Sequence, residues 1–193
     1  EEATLRLELN LIADAGLVGL PNAGKSSLLA AISDAHPKVA AYPFTTLNPI
    51  IGTVVFEDFV RLTVADLPGL IKGASDGVGL GDAFLRHVER APLLIYVIDM
   101  AGADMRNPTQ DYLDLHEEIR LYREDLLERP SLIVANKMDI PEAKENLKEF
   151  RQRTRQRPIP TSALTGEGLA KVKAAIFKLW RKSRPAALLE KLA

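Results

Sequence analysis

A glycine-rich segment that ends in a lysine and a serine carries the clearest chemistry in this sequence. It consists of Gly19, Leu20, Pro21, Asn22, Ala23, Gly24, Lys25 and Ser26. Glycines, a lysine and a hydroxyl at this spacing wrap backbone N–H groups around a polyphosphate. We expect Lys25 to reach the β- and γ-phosphates of a nucleoside triphosphate and Ser26 to be a ligand of Mg²⁺. Ser27 is counted with the nucleotide-binding residues.

The elements on either side of this loop suit it to the task. Residues 15–18 are predicted to form a short buried strand, and residues 24–34 an apolar-faced helix. At such a junction the loop N–H groups and the positive end of the helix dipole point at the same anion.

A carboxylate follows a later strand, predicted over 60–66. Asp66, at its carboxyl end, can hold Mg²⁺ through a water, and Gly69 can bring its N–H to the γ-phosphate because no side chain intervenes. Leu67 and Pro68, which lie between them, are counted with the nucleotide-binding residues.

The apolar strand predicted over 131–135 is followed by Asn136, Lys137, Met138 and Asp139. The Asp139 carboxylate can only accept hydrogen bonds, and guanine presents adjacent donors on N1 and N2, whereas adenine does not. An adenine base would leave a buried carboxylate unpaired, which is costly. We expect the stem of Lys137 to cover the base and Asn136 to bridge to the phosphate loop.

Ser162, Ala163 and Leu164 follow the last predicted strand, 158–161, and the N–H of Ala163 can donate to guanine O6. All these ligand groups fall at the carboxyl ends of strands, where open α/β sheets bind ligands. Their order predicts a guanine-nucleotide domain.

Strands and helices alternate along the chain in the manner of a parallel sheet covered on both faces. Further strands are predicted at 50–56 and 93–98, and the strand at 50–56 forms an antiparallel hairpin with 60–66. Helices are predicted at 24–34, 81–90, 108–128, 142–155 and 167–182. The expected fold is an α/β P-loop NTPase domain with a mostly parallel, six-stranded sheet. The domain spans 1–182, including an extended lead-in strand at 4–11, and a tail follows at 183–193.

Composition narrows the function classes. With 193 residues, 47% of them hydrophobic, the chain can bury one domain core, and a net charge of −1 gives no overall attraction to nucleic acid or anionic lipid. The absence of cysteine excludes disulfides and thiolate metal sites. No apolar run approaches the roughly 20 residues that span a bilayer. We expect a cytoplasmic protein, and because Glu1 stands where an initiator Met would be, we expect flanking domains to be missing.

These motifs together resemble the GTPase domain of the bacterial Obg (also called CgtA) family. The resemblance covers about residues 5–182 and is carried by the segments at 19–26, 42–47, 66–71 and 73–81. It implies a Mg²⁺-dependent GTPase that acts as a switch in assembly of the large ribosomal subunit and in growth or stress control, with GTP, GDP and ribosomal RNA as partners. It also implies a glycine-rich domain before this one. Guanosine tetraphosphate is a further candidate ligand, and we expect a monomer.

Two threonines, Thr45 and Thr46, lie in the segment after the first helix, with Phe44 before them. One hydroxyl is expected to complete the Mg²⁺ shell when a γ-phosphate is present, and the resemblance favours Thr46. The alternative is a pair of β-forming residues that open the next strand.

Hydrolysis is expected to be slow. Leu70 stands where many signalling GTPases have a glutamine that orients water, and no arginine lies between residues 24 and 47. The expected catalytic residues are Lys25, Thr46, Gly69 and Asn22. Asn22 resembles a loop asparagine that coordinates K⁺ in related GTPases. It is otherwise a turn residue, in which case a partner supplies the missing group.

Three functions therefore remain open: a GTP-hydrolysing switch, a guanine-nucleotide sensor that recruits a partner with incidental hydrolysis, and an ATP-using kinase or ATPase, against which Asp139 argues. Basic residues gather late in the chain, at Lys144, Lys148, Arg151, Arg153, Arg155, Arg157, Lys171, Lys173, Lys178, Arg181, Lys182 and Arg184. They form either a solvated helix face or a contact to RNA phosphates. His36, His87 and His116 share no metal-ligand spacing, and Ile176, Phe177 and Trp180 are expected to pack in the core.

Overall fold

Alternating strands and helices build the architecture in a computed structural model that describes residues 13–39, 49–56, 60–67 and 88–183. Its strands are β1 (Ala15–Val18), β2 (Lys38–Val39), β3 (Ile50–Val55), β4 (Arg61–Asp66), β5 (Leu94–Asp99), β6 (Ser131–Asn136) and β7 (Ile159–Pro160). Its α-helices are α1 (Lys25–Ile32), α2 (Pro108–Tyr122), α3 (Ala143–Thr154) and α4 (Leu169–Ser183), and short 3-10 helices lie at Ala103–Met105 and Glu124–Glu128.

The described strands form one sheet in the order β2-β3-β4-β1-β5-β6-β7. β1 pairs in parallel with β4 on one side and β5 on the other. The chain therefore builds the sheet outward in both directions from β1, and a crevice opens at the carboxyl end of that strand, where such sheets bind ligands. β3 pairs antiparallel with β4, which confirms the predicted hairpin.

Two hydrophobic layers hold the helices to the sheet. Consecutive residues of a strand point to opposite faces, so Tyr96 packs in the layer under α2 and α3, whereas Ile95 and Val97 pack in the layer under α1 and α4. This arrangement explains why the central strands are continuous apolar runs. Ile176 and Trp180 are buried in the second layer and Phe177 packs against it, as expected.

The sheet has one more strand than the six predicted, because β2 forms the edge beside β3. β2 contains only two residues, both exposed, so it leaves no periodic pattern in the sequence. The predicted helix over 108–128 is also wrong at its end. α2 stops at Tyr122, Arg123 is extended with φ −164°, and a 3-10 helix follows. Tyr122 and the buried Leu126 keep a four-residue spacing, so the hydrophobic pattern conceals the break.

Several predicted features lie outside the described residues. These are the lead-in strand at 4–11, the segment with Phe44, Thr45 and Thr46, the residues Pro68, Gly69 and Leu70, most of the helix at 81–90, and residues 184–193. Within the described part of the chain, no helix is both long and apolar enough to cross a membrane.

Candidate nucleotide site

The loop between β1 and α1 is shaped by left-handed backbone at two positions. Asn22 has φ 63° and Gly24 has φ 88°. A Cβ on Gly24 would overlap the side-chain amide of Asn136, and a Cβ on Gly19 would lie 2.5 Å from the carbonyl oxygen of Val97. Gly24 is the N-cap of α1 and provides no side-chain cap, and no acidic residue lies in the first turn. Gly24 therefore leaves the first N–H groups of α1 without a cap from its own side chain, and uncapped N–H groups are what an anion site at a helix start needs.

Lys25 folds back over this loop. Its Nζ donates to the carbonyl oxygens of Gly19 and Leu20, at 3.2 Å each, and the residue is 7% exposed. Burial lowers the pKa of Lys25, an effect that the Asp66 carboxylate partly offsets. The ammonium group is thus held inside the curve of the loop, where a phosphate would be its natural counter-ion.

Ser26 and Asp66 meet at the opening of α1. The Ser26 hydroxyl donates to Asp66 Oδ2, and Asp66 is 8% exposed. Burial raises the pKa of Asp66, against the opposing influence of the Ser26 hydrogen bond and of Lys25. A hydroxyl and a buried carboxylate are hard oxygen ligands, and they fit Mg²⁺, which takes few protein ligands and completes its shell with phosphate oxygens and waters. Among the described residues no group of three or more His, Cys, Asp or Glu side chains could hold a metal by itself.

Asn136 joins the phosphate loop to the loop after β7. Its Nδ2 donates to the carbonyl oxygen of Ala23 at 3.0 Å, and its Oδ1 accepts from the N–H of Ala163 at 3.1 Å. The residue is 2% exposed and ends β6, beside β5. One side chain therefore fixes the relative position of the loop after β1 and the loop after β7, which the sequence predicts to bind the phosphates and the base.

Asp139 and Ser162 form the far side of the site. The Ser162 hydroxyl donates to Asp139 Oδ1 at 2.6 Å and accepts from the N–H of Thr165 at 3.1 Å. Asp139 is exposed, so the predicted penalty for an unpaired buried carboxylate applies only when a base covers it. The N–H of Ala163, expected to donate to guanine O6, donates here to Asn136, so it would have to be shared with or released to a base.

Lys137 directly follows β6, and its backbone is left-handed, with φ 65°. Its Nζ forms an ion pair with Asp99 Oδ2 at 2.7 Å. Asp99 lines a small pocket beside the phosphate loop together with Pro21, Asn22 and Arg106.

Three comparisons with known proteins bear on this geometry. Residues 14–137 match the model of the family described as 50S ribosome-binding GTPase. The chain belongs to this family of GTPases. It is 53% identical over 180 residues to the GTPase Obg of Akkermansia muciniphila, covering 93% of this chain and 51% of that protein. It is 52% identical over 180 residues to the GTPase Obg of Desulfitobacterium hafniense, covering 92% of this chain and 42% of that protein.

These relatives confirm the resemblance to the Obg family, and this chain spans about half the length of the curated relatives it matches. Among solved structures, the G domain of the T. maritima FeoB iron transporter has a TM-score of 0.64 and 26% identity, covering 86% of this chain and 96% of that one. Aquifex aeolicus Era bound to GDP and AlF₄⁻ has a TM-score of 0.62 and 23% identity, covering 86% of this chain and 56% of that one, a likeness of fold. The predictions of a P-loop G-domain fold and of a GTP-hydrolysing enzyme are confirmed.

In this GTPase domain the sequence-predicted residues that the structure describes lie at the carboxyl ends of β1, β4, β6 and β7. They are 19–27, Asp66, Leu67, Asn136, Lys137, Met138, Asp139, Ser162, Ala163 and Leu164. Leu67 is buried, and its N–H donates to Leu17, whereas Leu164 is 85% exposed. The expected contributions of Phe44, Thr45, Thr46, Pro68 and Gly69 stay predictions, because those residues lie outside the described part.

Sequence reasoning missed Asp99 as a residue of this GTPase site. β5 was predicted to end at Ile98, yet Asp99 is its last residue and pairs in register with Asn136. The signal was available, because a polar residue directly after an apolar central strand is the same pattern that singled out Asp66 and Asn136.

Proposed function

We propose that this chain is the nucleotide-binding switch of a protein that acts on the large ribosomal subunit, with Mg²⁺-GTP bound across the carboxyl ends of β1, β4, β6 and β7. The observation that supports this most is the pair of hydrogen bonds by which Asn136 ties Ala23 of the phosphate loop to Ala163 of the base-reading loop. A single buried side chain joins elements that only a ligand with both a polyphosphate and a base would need together.

The residue roles follow from the contacts. Lys25 would turn from the carbonyl oxygens of Gly19 and Leu20 toward the β- and γ-phosphates, with the loop N–H groups around them. Ser26 and Asp66 would hold Mg²⁺, which supplies charge neutralisation on the phosphates when bound. Thr46 and Gly69 would complete the γ-phosphate contacts. Asp139, oriented by Ser162, would accept from guanine N1 and N2, and the stem of Lys137 would cover the base.

Slow hydrolysis is part of this proposal. Leu70 cannot orient water, and without K⁺ or a partner only Lys25, Mg²⁺ and backbone N–H groups would neutralise the transition-state charge. Asn22, exposed on the loop with φ 63°, is offered as a ligand of K⁺. Hydrolysis rates measured at equal K⁺ and Na⁺ concentrations test this role, and equal rates would remove K⁺ from the proposal.

Base recognition is tested by calorimetry with the purified chain at millimolar Mg²⁺. We expect GDP to bind and ADP to give no measurable heat, and the Asp139→Asn variant to move the preference from guanosine to xanthosine nucleotides. Xanthine presents an acceptor where guanine has its N2 amino group, which suits an amide and repels a carboxylate. Equal heats for adenosine and guanosine nucleotides would contradict the proposed site.

A nucleotide sensor with incidental turnover is the second candidate, because the slow hydrolysis expected from Leu70 is compatible with a sensor as well as with a switch. The two functions separate on a Thr46→Ala variant that keeps GTP affinity and loses hydrolysis. Such a variant should block cycling of a switch but leave recruitment by a sensor intact.

The ribosomal partner is supported by the family description and by a basic surface. Arg151, Arg155 and Arg157, at and beyond the carboxyl end of α3, are exposed and form no ion pair with any described residue, whereas Arg153 pairs with Glu149 at 3.1 Å. We expect cosedimentation with large ribosomal subunits to fall steeply with salt, and to fall further when the three arginines are changed to glutamine. If the triple variant cosediments like the parent at every salt concentration, these arginines are a solvated helix face.

A further inference from the structure

Lys137 is held by a partner that belongs to none of the recognised nucleotide motifs. Its Nζ lies 2.7 Å from Asp99 Oδ2, and the two side chains are 30% and 13% exposed. Asp99 ends β5 and Lys137 directly follows β6, which pairs with β5 up to the register Asp99–Asn136. The lysine side chain therefore spans from the end of one strand to the end of its neighbour, along the edge at which the base-reading and phosphate loops meet.

The Asp99 carboxylate is fixed independently of the lysine. Its Oδ1 accepts from the N–H of Ala101 at 2.9 Å. The next residue, Met100, donates its N–H to the carbonyl oxygen of Asn136 at 3.0 Å and accepts from Asn146 Nδ2 at 2.8 Å. The backbone around Asp99 is thus tied to β6 and to α3, so the carboxylate is a rigid anchor for the flexible lysine.

A neighbouring cation does not compete with Lys137 for Asp99. Arg106 lines the same pocket as Asp99 but is paired with Asp111, at 3.2 Å. Lys137 also has φ 65°, a left-handed conformation that a residue with a side chain rarely adopts and that persists only when its surroundings hold it. Both its backbone and its ammonium group are therefore positioned in advance of any ligand.

We propose that Asp99 is a positioning residue for nucleotide binding, which acts by holding the stem of Lys137 across the cleft as a ready surface for the base. This inference rests on the proposed nucleotide site. A free lysine side chain has many rotamers, and a ligand that must order them binds more weakly. With Asp99 in place, that ordering is complete before the nucleotide arrives.

The test is a double-mutant cycle on GDP affinity, measured by calorimetry with Mg²⁺, using Asp99→Asn, Lys137→Met and the double variant. Asn at position 99 keeps an acceptor for the N–H of Ala101 and removes only the ion pair. We expect Asp99→Asn to raise the Kd for GDP about threefold to tenfold, which reflects one rotamer-rich side chain to be ordered on binding. In the Lys137→Met background the same change should leave Kd unaltered, because Asp99 acts through the lysine.

The matched control is Asp111→Asn, which removes a carboxylate that lines the same pocket but pairs with Arg106. Its Kd for GDP should equal that of the parent chain. Unfolding in urea is measured for every variant, since a purely structural role of Asp99 would lower stability equally in both Lys137 backgrounds. If Asp99→Asn does not fold, Asp99→Glu, which keeps the charge on a longer stem, should give a smaller rise in Kd that also vanishes beside Lys137→Met.

The outcomes are distinct. A parent chain that binds no GDP contradicts the proposed nucleotide site. A parent chain that binds, with Asp99→Asn binding equally well or with its effect unchanged beside Lys137→Met, overturns the positioning role alone.

Discussion

Replacing Asn136 with alanine should uncouple the two loops that this side chain joins. The change removes hydrogen bonds to the carbonyl oxygen of Ala23 and the N–H of Ala163. Each bond contributes about 0.5–1.5 kcal/mol net, and a buried partner left unsatisfied costs about 1–3 kcal/mol. Ala23 is 3% exposed and Ala163 is half-buried, so the full penalty applies to the first and a smaller one to the second. We expect a loss of about 2–4 kcal/mol in the free energy of unfolding.

Nucleotide affinity should fall as well, because the phosphate loop and the base-reading loop would no longer be held at a fixed separation before binding. Ordering even one backbone residue costs about 1–2 kcal/mol, which predicts a rise in Kd for GDP of about tenfold or more. The assays are urea denaturation of the nucleotide-free chain and calorimetry with GDP.

A second asparagine provides the control. Asn107 caps α2, and its Oδ1 accepts from the N–H groups of Thr109 and Gln110 at 2.9 and 3.1 Å. Asn107→Ala also loses two hydrogen bonds and should cost about 1 kcal/mol of stability, with no change in GDP affinity. An Asn136→Ala chain that unfolds within about 0.5 kcal/mol of the parent, a difference at the scale of an ordinary surface substitution, would refute the reasoning.

Two further predictions follow from backbone contact and from burial. Gly19→Ala should weaken GDP binding at least tenfold, because its Cβ would lie 2.5 Å from the carbonyl oxygen of Val97 in a central strand. The control is Gly166→Ala, whose Cβ meets its nearest atom at 4.0 Å; its φ of 85° should lower stability by about 1 kcal/mol without changing GDP affinity. Calorimetry compares the two variants, and equal Kd values would show that the contact with Val97 does not matter. Burial between the rings of Tyr96 and Tyr112 lowers the pKa of His116, whose buried Nε2 has no hydrogen-bond partner among the described residues. The unfolded chain therefore takes up the proton first, and stability should fall as pH drops below about 6.5. Urea unfolding at pH 7.5 and pH 5.5 should show a smaller loss of stability for His116→Phe than for the parent chain, and an identical loss would refute this prediction.

Much of the fold could be predicted because local pattern and tertiary environment agree. The continuous apolar runs of β5 and β6 predict strands buried on both faces, and the hydrophobic layers on either side of them bear this out. The helix predicted from residue 108 begins there as α2, with Pro108 in its first turn and the Asn107 side chain as its cap. The pattern failed where it carried no distinguishing signal. β2 is too short for periodicity, and the break after Tyr122 preserves a helical spacing.

For the candidate site, the sequence predicts which residues lie at the edge of the sheet but not which side chains contact one another. The motif spacing predicts that Lys25, Asp66 and Asn136 lie at one edge of the sheet, because the carboxyl ends of parallel strands meet there. It could not state which polar groups bind one another before a ligand arrives. Asn136 to Ala163, Ser162 to Asp139 and Lys137 to Asp99 are contacts between loops, set by side-chain direction.

Those contacts change the physical account of base selection. Asp139 is exposed and already accepts a hydrogen bond from Ser162. Its carboxylate is therefore not a buried, unpaired charge until a base covers it. In the proposed site, discrimination would instead arise as the base covers the carboxylate and displaces its water, a cost that only the two donors of guanine would repay. In the proposed site, Asn136 and the adjoining Asp99–Lys137 pair hold the cleft before binding. We therefore expect them to strengthen selectivity as well as affinity, because a rigid cleft keeps adenine against a carboxylate that it cannot satisfy.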